Sequence, residues 1–107
     1  MASFTLHDLE QRVKARAQAS ADVSYTRRLL DQGVDQCAKK LGEEAIETIL
    51  AAITEDRERL IAETADLIYH LLVVLAARGI ALADVEAELA KRTQQSGLEE
   101  KAGRQHR

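Results

Sequence analysis

Two pairs of acids have the type and spacing to hold a cation. Glu44/Glu47 and Glu63/Asp66 are each three residues apart. Ala45, Ile46 and Ile49 surround the first pair, and Ala65, Leu67 and Ile68 the second. A third pair, Glu55/Glu58, sits in a charged break and reads as solvated. With 18 acids in 107 residues, about three such pairs arise by chance, so the apolar setting carries the argument. On a helix, residues i and i+3 project to nearly the same side. Lys40, Glu44, Glu47 and Ala51 thus line one strip, and Arg59, Glu63, Asp66 and His70 another. A short break joins the two helices, so they pack antiparallel and the four carboxylates converge over the groove between them. Ionised together in a partly dry groove, they repel one another and lose hydration. A hard divalent cation resolves that conflict. An all-oxygen donor set suits Mg²⁺, with Mn²⁺ as a substitute, bridging to substrate phosphates. A di-iron centre is disfavoured, because such bundles use Glu-x-x-His pairs and the chain has none.

The plainer alternative is an acidic face bathed in water. On the residues alone both readings stand. Lys40 reads equally as a surface residue, His70 as a hydrogen-bonded core histidine, and Tyr25 as a packing residue. Cys37 reads as a small buried apolar residue.

The elements that position these residues are helices. Ala, Leu, Glu, Lys, Arg and Gln dominate, proline is absent, and no stretch keeps a period of two. A first helix is expected over 5–18, with Leu6, Leu9 and Val13 on one face and Thr5 and Asp8 as a capping box. Residues 19–24 read as a linker. Ser24 caps a short helix over 25–32 that stops at Gly33. A second long helix covers 34–54, where Val34, Ala38, Leu41, Ala45, Ile49 and Ile53 recur at helical spacing. Gly42 interrupts it and invites close approach of a backbone or ligand. The third long helix spans 57–78 and ends at Gly79. Its second half is apolar nearly all round, which implies burial on every side. A last helix is expected over 83–93, with Val85 and Leu89 facing in and no good N-cap at Ala81 or Ala83.

The fold class is therefore all-α, a small bundle of four to five helices. One domain covers 1–93. The polar tail, 94–107, is either disordered or folded over a ligand. Three aromatic residues supply little bulk for a core. A bundle this small cannot enclose the long third helix, so a second copy is expected to cover part of it, giving a homodimer.

A net charge of −3 argues against a nucleic-acid surface. The apolar run 67–77 is shorter than the ~20 residues of a membrane span. Asp8 and Glu10 precede any apolar stretch, so no signal peptide is read. A single cysteine excludes an internal disulfide or a thiolate zinc site. These point to a cytoplasmic protein.

The stretch Lys40-Leu41-Gly42-Glu43-Glu44-Ala45-Ile46-Glu47, followed by Glu63-Thr64-Ala65-Asp66, resembles the all-α nucleotide pyrophosphohydrolase superfamily of MazG and the dimeric dUTPases. Its pattern is Glu-Glu-x-x-Glu, a spacer, then Glu-x-x-Asp. Within it, three segments resemble the phosphoribosyl-ATP pyrophosphohydrolase family. They are Ser24-Tyr25-Thr26 with Leu29, Leu30 and Gly33; Asp66-Leu67-Ile68-Tyr69-His70-Leu71-Leu72-Val73; and Gln95-Ser96-Gly97-Leu98-Glu99-Glu100-Lys101. Gly103 departs from the family's more usual serine.

The resemblance implies hydrolysis of phosphoribosyl-ATP to phosphoribosyl-AMP and pyrophosphate, the second step of histidine biosynthesis. It implies Glu44, Glu47, Glu63 and Asp66 as Mg²⁺ ligands, with Glu43 and Glu47 as catalytic candidates. Lys40, Lys101 and Arg59 offer positive charge to the phosphates. Ser24, Tyr25 and Thr26 offer hydrogen bonds and a stacking surface to the base. No cyclohydrolase domain is present, so the product is expected to pass to a separate phosphoribosyl-AMP cyclohydrolase; nothing in the sequence supports association with it. Two alternatives remain: a house-cleaning dNTP pyrophosphohydrolase of the same superfamily, and a non-catalytic helical dimerisation module.

Overall fold

A computed structural model of the chain describes residues 3–54 and 56–94. Five helices follow in order: α1 (Leu6–Ala17), α2 (Tyr25–Asp31), α3 (Val34–Thr54), α4 (Arg57–Ala77) and α5 (Leu82–Arg92). No strand occurs among the described residues, so the all-α reading holds. Lys101 and the segment 95–101 lie outside the described residues, as does Glu55.

The helix ends follow from local chemistry. Thr5 Oγ1 accepts from the Asp8 N–H at 3.1 Å, and Asp8 Oδ2 accepts from the Thr5 N–H at 3.0 Å, closing the capping box. The Asp8 carboxyl is held below its ordinary 3.8, chiefly by these Thr5 hydrogen bonds. Ser24 Oγ accepts from the Arg27 N–H to start α2, and Asp56 Oδ1 accepts from the Arg59 N–H to start α4. Gly33 at φ +95° and Gly79 at φ +67° take the left-handed turns that end α2 and α4.

Ala81, at the start of α5, offers no side-chain cap. Glu10 of α1 supplies one instead, its Oε2 accepting from the Leu82 N–H at 2.7 Å. A carboxylate at a helix N-terminus also meets the positive end of the dipole. Glu10→Ala is expected to cost about 1–2 kcal/mol, read as a lower midpoint in urea with unchanged slope.

The core gathers Val13, Leu29, Cys37, Leu72, Val73 and Leu82, one or two from each helix. The Cys37 thiol donates to the Leu29 carbonyl at 3.3 Å, and burial pushes its pKa above 9.0. It is a packed, unreactive thiol, as expected.

The antiparallel pair α3/α4 makes the most extensive helix contact. Thr48 Oγ1 lies within donor reach of the Glu44 carbonyl at 2.8 Å and of the Glu63 carbonyl at 3.1 Å, which sets the register beside the acids.

Several expectations require correction. The apolar stripe of α3 does not face inward as a unit. Its buried residues are Cys37, Glu44 and Ala51, spaced by sevens, whereas Ile46, Ile49 and Ile53 are exposed on the opposite side. Within one chain the second half of α4 leaves Leu71 and Ala76 exposed, in line with the expectation that a bundle this small cannot enclose it. Leu6 and Leu89 are exposed too. A Cβ on Gly42 would meet nothing within 4 Å, so no backbone approaches there. By length and composition alone α4 suffices to cross a membrane. In this fold it packs against α1, α2 and α3, with Glu63, His70, Leu72 and Val73 buried among them.

Candidate active site

Helix periodicity places Glu44 and Glu47 of α3 opposite Glu63 and Asp66 of α4. Glu44, Glu63 and Asp66 each present a carboxylate oxygen, all within 4.8 Å of one another. Glu47 lies beside Glu63, within hydrogen-bonding reach if a proton sits between them. Burial first, and Glu47 second, push the Glu63 carboxyl above its ordinary 4.5, against the pull of Arg59. The groove at this point is about 130 Å³, lined by Glu47, Leu50, Ala51, Arg59 and Glu63.

Each buried acid has one oxygen paired and one orphaned. Glu44 Oε1 is 3.5 Å from Lys40 Nζ, and Glu63 Oε1 is 3.3 Å from an Arg59 guanidinium nitrogen. Glu44 Oε2 and Glu63 Oε2 are buried with no hydrogen-bond donor. A buried acceptor without a donor is costly, more so when ionised. Oxygens around an octahedral Mg²⁺ stand roughly 3–4.2 Å apart, given arms of 2.0–2.1 Å. The three oxygens lie within 4.8 Å of one another, close to that range. The donor set, all oxygen and net anionic, fits a hard divalent cation.

Glu43, half exposed, turns away from the cluster and pairs with Lys40 at 3.5 Å. Lys40 stands at the rim. Its ammonium is raised above 10.5, first by Tyr25 and then, against desolvation, by Glu43 and Glu44, so it stays charged.

Tyr25, Thr26 and Ser24 occupy three different situations. Ser24 is buried, and its hydroxyl donates to the Arg16 carbonyl at 2.9 Å while capping α2. Thr26 is fully buried, with its hydroxyl bonded to the Tyr69 hydroxyl. Both hydroxyls are thus engaged by the fold. Tyr25 alone is open, with 48% of its surface exposed. Burial of its remaining surface lifts the phenol above 10.0 against the pull of Lys40, so it is a donor at neutral pH.

The sequence reading used neither Thr48, Tyr69 nor the Glu10 cap. Thr48 carried a signal, lying four residues beyond Glu44 on the same face. Tyr69 lay inside an apolar run that masked its hydroxyl.

The profile of the family described as phosphoribosyl-ATP pyrophosphohydrolase matches residues 6–93. The Phosphoribosyl-ATP pyrophosphatase 1 of Bradyrhizobium diazoefficiens is 62% identical over 104 residues, covering 97% of this chain and 98% of its own. The Phosphoribosyl-ATP pyrophosphatase of Azorhizobium caulinodans is 63% identical over 101 residues, covering 94% and 93%. The protein of that name in Rhizobium meliloti is 56% identical over 106 residues, covering 99% of each chain.

Proposed function

The chain belongs to the phosphoribosyl-ATP pyrophosphohydrolase family, and on that premise we propose that it hydrolyses phosphoribosyl-ATP to phosphoribosyl-AMP and pyrophosphate, the second step of histidine biosynthesis. The observation that carries the assignment of the site is the pair of buried, donorless oxygens, Glu44 Oε2 and Glu63 Oε2, on two residues of one carboxylate cluster. Water can satisfy such atoms only where there is room and further polar partners. A cation supplies the missing charge directly.

Glu44, Glu47, Glu63 and Asp66 would hold Mg²⁺, or Mn²⁺ in its place. Bound there, the ion would neutralise charge on the phosphoanhydride oxygens and lower the pKa of the attacking water. Glu47 is exposed at the mouth of the groove and is the candidate base for that water. Glu43 holds Lys40 at the rim, where its ammonium neutralises the polyphosphate. Tyr25 presents its ring to the base, and Ser24 and Thr26 hold the turn that carries it. Lys101 is a second cation for the phosphates in this reading. The catalytic domain spans 1–93 and works as a cytoplasmic homodimer.

The test is pyrophosphate release in Mg²⁺ from phosphoribosyl-ATP, ATP and dNTPs, each with an EDTA control. Release from phosphoribosyl-ATP alone, abolished by EDTA and restored by Mg²⁺ or Mn²⁺, is the expected result. Release mainly from dNTPs would move the chain to the house-cleaning branch. No release from any substrate by folded protein would favour a dimerisation module.

A further inference from the structure

Beside the acids lies a polar network centred on a buried histidine, His70, to which the reaction as described gives no role. His70, on α4, is 6% exposed. Its Nδ1 stands 2.7 Å from the Asp66 carbonyl oxygen, and its Nε2 stands 3.2 Å from the Tyr25 hydroxyl. A carbonyl can only accept, so Nδ1 carries the hydrogen. In the neutral ring Nε2 is then a lone pair, and the Tyr25 O–H donates to it. One helical turn thus fixes the tautomer, and the tautomer fixes the direction of the phenol.

The ring geometry is consistent with this. His70 meets Tyr25 edge-on at 5.9 Å and 76°, and Tyr69 edge-on at 5.0 Å and 89°. Tyr25 and Tyr69 lie nearly parallel at 6.5 Å and 21°. The Thr26–Tyr69 hydroxyl contact pins the next residue of α2 to the residue adjacent to His70 on α4. Two side-chain bonds therefore dock the first turn of α2 on α4. The half-exposed Tyr25 ring is left as a flat apolar surface next to Lys40 and the acids. An aromatic face beside a cation and a cation-binding groove has the order of a base, a phosphate and a metal.

We propose that His70 is a positioning residue for the nucleobase: held as the Nδ1–H tautomer by the Asp66 carbonyl, it anchors the Tyr25 hydroxyl and so sets the plane on which the base stacks. The proposal rests on the phosphoribosyl-ATP reading for the identity of the base. Stacking made equally in ground and transition states changes KM and leaves kcat.

The experiment has two parts. In the free wild-type chain, long-range ¹H–¹⁵N spectra read the tautomer directly, with His70→Asn assigning the signal. Nδ1–H is expected, and Nε2–H overturns the proposal whether or not any substrate is hydrolysed. Kinetics then compare three variants. His70→Asn keeps the donor to the Asp66 carbonyl and loses the acceptor, and is expected to raise KM for phosphoribosyl-ATP about tenfold with kcat within about twofold. Tyr25→Phe removes the same bond from the other side without touching the core, and should match it; the double variant should be no worse than either. His70→Gln restores an acceptor near Nε2 and should return KM to within about threefold of wild type. Equal impairment in the Asn and Gln variants, or a loss carried by kcat, overturns the proposal. If His70→Asn does not fold, Tyr25→Phe carries the kinetic readout alone. Failure of the wild type itself to hydrolyse phosphoribosyl-ATP would instead refute the substrate assignment, and the tautomer would be judged from the spectrum.

Discussion

Glu63→Gln is expected to lower kcat/KM by at least about a hundredfold while leaving the helical content intact. Glu63 sits at the centre of the groove, with one oxygen on Arg59 and the other without a donor. Glutamine keeps the shape and removes the charge on which cation binding depends. The same substitution should stabilise the metal-free protein. Burial and Glu47 raise the Glu63 pKa, so the fold opposes the ionised form. That penalty is fully present above the raised pKa, shrinks as the pH falls through it, and is gone below about the ordinary 4.5. In EDTA at neutral pH the variant should therefore melt above wild type, and at pH 4 the two should coincide. Adding Mg²⁺ should raise the wild-type midpoint by ligand linkage and leave the variant's nearly unmoved. Near-normal turnover in the variant, or an equal Mg²⁺ shift in both proteins, would dispose of the four-carboxylate site. Glu47→Gln should also abolish turnover and weaken metal binding.

Placing Glu at both Ile49 and Ile53 is expected to convert a dimer into a monomer. On α3 the exposed residues Ile46, Ile49 and Ile53 recur at i, i+3 and i+7, a stripe on the face turned away from the acids, with Leu50 between it and the groove. Full burial of one such side chain contributes about 1.5–3 kcal/mol. These residues are more than half exposed, Ile53 at 75%, so most of that gain is still to be made. In a twofold interface each residue is present twice, and a charge placed on the stripe faces its own copy. Sedimentation at micromolar concentration should give a dimer for wild type and a monomer for Ile49→Glu/Ile53→Glu. A wild-type monomer would remove the basis for the pairing. The long third helix, α4, which the sequence reading expects a second copy to cover, leaves Ile61 and Leu71 exposed as well.

The legible parts of the protein were those determined within a few residues. Thr5 and Asp8 close a capping box because they are three apart. Gly33 and Gly79 end helices because only glycine takes those φ values without strain. The spacing of Glu44/Glu47 and Glu63/Asp66 brought Glu44, Glu63 and Asp66 within 4.8 Å of one another, with Glu47 beside Glu63, because helix geometry is periodic and the joining break is short. The reading of α3 misjudged its faces. Apolar spacing reveals a stripe, but not whether the chain's own core or a second chain covers it. In α3 Glu44 takes a place on the inward face, between Cys37 and Ala51, where an ordinary amphipathic helix would place leucine.

What the sequence by itself determined was therefore local: five helices and their stops, the acid pairs, and a family pattern in the order of residues. What only the tertiary structure decided was which groups meet across distance. Glu10 caps a helix that starts 72 residues later. Tyr25 reaches His70 across 45 residues and Thr26 reaches Tyr69 across 43. With the Ser24 hydroxyl on the Arg16 carbonyl, they left Ser24 and Thr26 engaged and the Tyr25 ring half exposed. The reason is physical. A hydrogen bond between neighbours in sequence follows from backbone geometry, whereas one between distant residues exists only after packing has brought two helices to a particular depth and rotation.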